Sequence, residues 1–457
     1  EGLMAIFNNN LLAGAGAQSG GAAHTIDQSI RFNSNDSAYM YRTPSSASNR
    51  KTFTISFWFK TCQPVTGTFQ TLIGSYDNSS ASDSTYFGIW QGSSGNMGFG
   101  TWNSNPISTT RKIRDPASWF HCVYTIDTTN TNPVDRCKLF INGNRETNIS
   151  YSDPGLNHDF GWNLNQQHSI GRINYTTGSG PYYTNGYLAE IYNIDGQALD
   201  CNSFGEFNSS GIWIPKAYSG TFGTNGFYIK GEDSSDLGND SSGNNNDFTV
   251  SGLDSFDKMN DSPTNNHAVW NALTGSAQSY TNGNLKASST TTYWKGGLTT
   301  LQVPLNSGTW YYEWYVTSAG SNSGQMSIGW CESTRDEEDD NSSGDTEGWV
   351  TYALNGNYYA NGGTGSLGAT YTTGDVIGCK INTNTSSNNV EWYKNGVSQG
   401  TRSQAFNSSD GSGFISPYIL MYATRNGIAR FDNIHWTQTP AGIDETNVIN
   451  TKNLGAE

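Results

Sequence analysis

Two carboxyl groups about 5 Å apart can hydrolyse a glycosidic bond with retention, and the run Glu190-Ile191-Tyr192-Asn193-Ile194-Asp195 carries two. The odd spacing puts Glu190 and Asp195 on opposite faces of a strand, and Tyr192 sits where a same-face acid belongs. Glu190 is therefore expected to be a satisfied structural acid. Gly363-Thr364-Gly365-Ser366-Leu367-Gly368 spells G-x-G-x-x-G. A nucleotide site needs a helix next, but Ala369-Thr370-Tyr371-Thr372-Thr373 is β-like, which predicts a glycine-rich loop. The six histidines are scattered, and none opens an H-E-x-x-H pair for zinc.

Oxygen donors and rings offer binding rather than bond cleavage. Asp233, Asp236, Asp240 and Asp247 decorate a Gly/Asn/Ser-rich stretch of the kind that can ring a Ca²⁺ ion, although no EF-hand spacing is present. The competing reading is a set of Asx-turns in a solvated loop. Asp336-Glu337-Glu338-Asp339-Asp340 places like charges side by side, so that segment is exposed or cation-bound. Tyr182 and Tyr183, Tyr358 and Tyr359, together with Trp349, read as loop aromatics on which a sugar can stack. The competing reading has these rings capping sandwich ends or packing at module contacts.

The composition limits what those groups can serve. The 457 residues allow two or three modules. Charged residues make up only 14%, while 14 Trp, 25 Tyr and 20 Phe concentrate the apolar surface in rings, which favours strands over helices. A net charge of −15 argues against nucleic acid as a partner. No run reaches the roughly 18 apolar residues of a membrane span, and no basic start to a signal peptide is present. The six cysteines lack C-x-x-C spacing. In a hairpin closed at Asn142-Gly143, Cys122 faces Ile141 and Ile126 faces Cys137, so the sulfurs lie too far apart to bridge. Free buried thiols, suited to a reducing cytoplasm, are expected.

Alternating runs mark the strands that must hold these groups. Phe53, Ile55, Phe57 and Phe59 share one face of a period-two run, and Trp119 to Ile126 and Cys137 to Ile141 form the hairpin pair. Residues 1–24 read as an aperiodic anchoring arm and 25–207 as one β-sandwich, with a short Asp200-capped helix at its end. Residues 208–262 form a bridge, either a sheet extension or a linker, whose aromatics suggest docking, 263–440 a second sandwich, and 441–457 a polar tail. In the second sandwich Trp310, Tyr312, Trp314 and Val316 form a heavy inner face. The fold class is all-β: two antiparallel jelly-roll sandwiches in tandem behind an extended N-terminal arm.

The strand at Thr54 to Phe59, the Leu139-Phe140-Ile141-Asn142-Gly143 hairpin and Gly186-Tyr187-Leu188-Ala189-Glu190-Ile191-Tyr192-Asn193 before Gln197-Ala198-Leu199 resemble the laminin-G-like or concanavalin-like family. The runs at Trp310 to Val316, Ser327 to Trp330, Gly374 to Gly378, Val390 to Gly396, Ile415 to Tyr418 and Ala429 to Phe431 resemble a SPRY domain over residues 305–436. Here Arg430-Phe431-Asp432 stands where that family ends in an Asn-Phe-Gly-like strand. The two modules behind Met4-Ala5-Ile6-Phe7-Asn8-Asn9-Asn10 resemble virion structural proteins of marine tailed phages. That resemblance implies a non-enzymatic tail- or head-fibre protein of the virion, assembled in the host cytoplasm and oligomeric, with trimers common among fibres. Residues 1–24 would contact other virion proteins and the sandwiches would bind host-surface glycans, with residues 336–340 as an acidic recognition loop. A capsid decoration or scaffold touching only virion subunits is the alternative, with a glycan depolymerase third.

Overall fold

The computed structural model describes residues 24–62, 69–76, 82–174, 180, 182–273, 278–290, 294–320, 326–335, 348–361, 363–384, 388–406 and 413–455. The chain divides into two compact units, one within residues 17–264 and one within 265–457. The anchoring arm, apart from His24, and the acidic run at 336–340 lie outside the described residues.

In the first unit two eight-stranded antiparallel sheets, counted among the described residues, face each other. One is centred on Thr52–Thr61, paired with Phe120–Asp127 on one side and Gly186–Asp195 on the other. Phe53, Ile55, Phe57 and Phe59 all enter the core between the sheets, as their period requires. The second sheet runs through Tyr39–Arg42, His168–Ile170, Gln70–Tyr76, Tyr86–Gln91 and Asn96–Gly100. The hairpin after Cys137–Ile141 turns on Asn142 (φ 47°) and Gly143 (φ 78°), the left-handed pair such a turn needs. Cys122 faces Ile141 and Ile126 faces Cys137, and all six cysteines are free and buried.

Residues 208–262 extend both sheets. Phe227–Ile229 pairs with Gly186–Asp195, Thr249–Ser251 with Tyr39–Arg42, and Lys258–Met259 with Ser29–Phe32. The helix expected after Asp200 is a single 3-10 turn, Cys201–Ser203, capped by the Asp200 side chain. Gly205–Phe207 beyond it is a strand paired with Trp213–Pro215, which an aromatic facing partner stabilises better than helix.

The Trp213 indole N–H donates to His121 Nδ1 at 3.0 Å, and His121 Nε2 lies 2.9 Å from Ser56 Oγ. His168 accepts from Asn163 N–H at Nε2 (2.8 Å) and faces the Gln166 carbonyl through Nδ1 (2.8 Å). Both imidazoles are thus fixed in a neutral tautomer, and burial pushes each down to about 3. The unfolded chain protonates them near 6.5 while the folded chain does not. Their contribution is therefore complete above pH 6.5 and lost as pH falls toward 3, on the order of 1 kcal/mol per pH unit for each. Urea unfolding of this unit at pH 5 and pH 7 is expected to show the loss, and His121→Gln with His168→Gln should flatten the slope.

The second unit is also a sandwich. One sheet orders Gln278–Thr281, Lys286–Ser289, Arg425–Arg430, Thr309–Ser318, Val376–Asn382, Asn389–Lys394 and Val397–Ser403. The other orders Lys295–Leu298, Phe414–Met421, Met326–Glu332, Trp349–Ala353, Asn357–Ala360 and Gly363–Ser366. Trp310, Tyr312, Trp314 and Val316 are buried. The G-x-G-x-x-G run is mostly strand rather than loop, its Gly363–Ser366 portion pairing with Asn357–Ala360, and no helix follows it.

The C-terminal segment is not the polar tail its composition suggested. Val448 and Ile449 are wholly buried, Ala268 N–H donates to the Ile449 carbonyl, and Asn266 N–H to Thr451 Oγ1. Two apolar residues are enough to hold it, because Asp444 and Asn447 close a capping box just before them.

Candidate functional site

The outer face of the second sheet of the first unit gathers rings over a row of small residues. Tyr41, Ser169, Gly74, Gly88 and Gly100 align across five strands. The adjacent row, Met40, Ile170, Ile73, Ile89 and Phe99, enters the core, so the glycine row faces away from it. A Cβ at Gly74 would meet Ile173 at 2.9 Å, and one at Gly98 would meet the Trp90 ring at 2.6 Å. Glycine is required for these side chains to approach the backbone so closely.

Rings flank this row in three groups. Trp102 stacks on Tyr76 at 5.6 Å and 14°, with Tyr86 edge-on at 6.2 Å. Phe69 lies 5.4 Å from Trp90 and 5.0 Å from Tyr182. Tyr39 stacks on Tyr41, while the Arg172 guanidinium sits 3.5 Å over Tyr39 and 5.9 Å from Tyr183. Trp102 is 37% exposed, and its loop is held by Asn103 N–H on Asp83 Oδ1 at 2.7 Å. An indole braced by two rings and still more than one-third exposed is a rigid stacking platform.

Tyr182 and Tyr183 thus belong to this face, but to different ring groups. Trp102, Tyr76, Tyr86, Phe69 and Trp90 join them on this face without being among the loop aromatics that the sequence singles out. Tyr86-Phe87-Gly88-Ile89-Trp90 carried a signal for some of them, since its alternation puts Tyr86, Gly88 and Trp90 opposite the core residues Phe87 and Ile89.

The second-unit candidates are distributed differently from a common loop. Tyr358 and Tyr359 lie on strand Asn357–Ala360, and the period of two sends them to opposite faces. Tyr358 carries the Arg402 guanidinium 4.3 Å over its ring. Tyr359 packs against the cluster of Leu298, Cys331, Trp349, Tyr418 and Leu420, and its hydroxyl accepts from Asn355 Nδ2 at 3.0 Å. Trp349 opens a strand rather than lying in a loop, is only 3% exposed, and lies under the Arg335 guanidinium at 4.8 Å. It therefore offers no open ring face.

The four aspartates considered for calcium make turns. Asp233 accepts from Ser235 N–H and Oγ, and Asp240 accepts from Tyr228, Ser242 and Asn246 N–H. Asp247 accepts from Asp240 N–H, while Asp236 is exposed. Among the described residues no three His, Cys, Asp or Glu side chains group as a metal site. Short side-chain to backbone bonds of this kind are what Asp and Ser favour in loops.

Glu190 sits in a bulge at φ 50°, where the register shifts between Ala189 and Tyr192. The bulge breaks the simple count of two, yet the carboxyls remain apart in function. Glu190 accepts from the Tyr192 and Tyr228 hydroxyls and lies 3.1 Å from His24 Nε2. Asp195 is held by Asn49 N–H, Asn163 Nδ2 and Asn225 N–H. Among the described residues the two share no partner, and burial, reinforced by Glu190, pushes the Tyr192 phenol well up.

Residues 33–196 match the family model of the concanavalin A-like lectin/glucanases superfamily, and residues 309–432 match that of the SPRY domain. Among similar solved structures, the SPRY domain of human HERC1 is 17% identical, covering 37% of this chain and 99% of its own at a TM-score of 0.30. Domains LG4-5 of the mouse laminin alpha1 chain are 10% identical over 90% of each chain, with a TM-score of 0.32. A putative carbohydrate binding protein from Bacteroides ovatus is 15% identical, covering 50% of this chain and 61% of its own, with a TM-score of 0.32. At these identities and scores they carry no inference about ligand or partner. No curated protein matches the chain. The chain is all-β and carries a concanavalin-like, laminin G-type jelly roll followed by a SPRY jelly roll.

Proposed function

We propose that this is a non-enzymatic carbohydrate-binding protein whose first unit holds glycans on the ring face around Trp102. One observation carries the reading: the Trp102 indole, fixed parallel to Tyr76, is 37% exposed at the edge of a sheet face where glycines let rings and Ile173 pack directly on the backbone. Sugar C–H faces are apolar and stack on such rings, while the neighbouring Asn, Ser and Asp groups satisfy hydroxyls. A superfamily of lectins and glucanases accommodates both binding and hydrolysis. Binding is favoured here because Glu190 is occupied by tyrosine hydroxyls and shares no partner with Asp195.

Trp102→Ala is expected to weaken retention on a polysaccharide by about tenfold or more, or roughly 1.4 kcal/mol, in affinity electrophoresis of the full chain. Glu190→Gln should leave retention unchanged, and no reducing ends should appear. Equal retention by Trp102→Ala would remove the ring face from consideration, and released reducing ends would replace binding with hydrolysis.

The finer reading is a tailed-phage virion appendage, anchored through residues 1–24, oligomeric, and presenting its sandwiches to host-surface glycans. It is supported by the order of the two modules behind a Gly- and Asn-rich arm, and by six buried free thiols that suit assembly in a reducing cytoplasm. Many copies per particle would raise weak single-site binding by avidity. Antibody labelling of purified particles locates the protein, and unlabelled particles would refute the assignment.

A further inference from the structure

A polar cleft of about 450 Å³ opens on the second unit, in the size range of small-molecule sites. Its floor is the outer face of Thr309–Ser318, Val376–Asn382, Asn389–Lys394 and Val397–Ser403. Cross-strand register builds that floor in two rows, Thr309 beside Asn382 beside Asn389, and Lys380 beside Glu391 beside Thr401. By itself such a face is ordinary solvated sheet. Residues 441–447 turn it into a cleft by forming a wall, held by Asn447 Nδ2 on the Thr309 carbonyl at 3.0 Å and by the buried Val448 and Ile449 just beyond.

The chemistry of the lining selects a ligand class. Lys380, the one cation among the lining residues, is paired with Glu391 at 2.5 Å and bonded to the Tyr393 hydroxyl at 3.0 Å. With Glu391 and Asp444 both acidic, the cleft repels phosphate and carboxylate ligands. The Asn382 Oδ1 accepts from Asn384 N–H and the Asn389 Oδ1 from Ser403 Oγ, which leaves both amide Nδ2 groups as donors. The Thr309 and Thr401 hydroxyls add groups that donate or accept, and the Asp444 carboxylate adds an acceptor. Closely spaced neutral donors and acceptors, with no free cation and one carboxylate that can accept from hydroxyls, match a polyol.

We propose that this cleft binds a neutral saccharide unit, separately from the ring face of the first unit. The test is saturation-transfer NMR on the full chain carrying Trp102→Ala, so that the ring face does not contribute. The probes are glucose, galactose, mannose and N-acetylglucosamine, with glucuronate as the anionic control. At least one neutral sugar is expected to receive saturation. That signal should fall about tenfold when Asn382→Ala and Asn389→Ala are added, and equally with Thr401→Trp, which fills the cleft from an exposed edge strand and serves if the asparagine variant does not fold. The proposal is overturned if no neutral sugar responds in the Trp102→Ala protein, if cleft substitutions leave the signal unchanged, or if glucuronate alone binds. Failure of the ring face is read independently, from Trp102→Ala retention on polysaccharide.

Discussion

Asp261→Ala is expected to destabilise the 17–264 unit by about 3–5 kcal/mol, the usual result of removing one partner from a buried ion pair. Lys60 and Asp261 are both essentially inaccessible, with Nζ 2.8 Å from Oδ2, and Asp261 Oδ1 also accepts the Trp119 indole N–H at 3.1 Å. Alanine removes the carboxylate that faces an ammonium and an indole N–H in a site from which water is excluded. The consequence is more than local, because Asp261 fastens the last residues of the unit against its central strand, Thr52–Thr61. Amide hydrogen exchange in that strand and in Gly186–Asp195 should accelerate together with a lowered urea midpoint. Lys60→Met combined with Asp261→Leu removes both charges and should recover most of the loss. A single-variant effect below about 1 kcal/mol would mean that the pair is solvated.

Trp392→Ala should cost the second unit about 3–5 kcal/mol, the range for a large ring deleted from a packed core. Trp392 is wholly buried on Asn389–Lys394, and its Nε1 donates across the sandwich to the Ile328 carbonyl at 2.9 Å, on the opposite sheet. Removing it opens a void and cuts a direct tie between the two layers. Urea unfolding should shift to lower concentration, with exchange rising in Met326–Glu332. Val397→Ala, at a side chain 65% exposed, is the comparison and should change stability by less than about 0.5 kcal/mol.

Period-two alternation alone determined the β class, the inward faces at Phe53 to Phe59 and Trp310 to Val316, and the Asn142-Gly143 hairpin with its cysteine register. These follow from local rules: side chains alternate along a strand, and a tight turn needs left-handed residues. The same alternation, applied to Asn357–Ala360, would have separated Tyr358 from Tyr359, but Gly and Asn neighbours made the pair look like a loop. Tertiary structure alone decided that residues 208–262 complete two sheets and that Val448 and Ile449 anchor the C-terminal segment. It also brought Trp102, Tyr76 and Tyr86 onto one face and set residues 441–447 beside Lys380 and Glu391. The physical reason is common to all of these: short strands and single rings gain their stability from partners distant in sequence, and no local pattern encodes which distant partner is met.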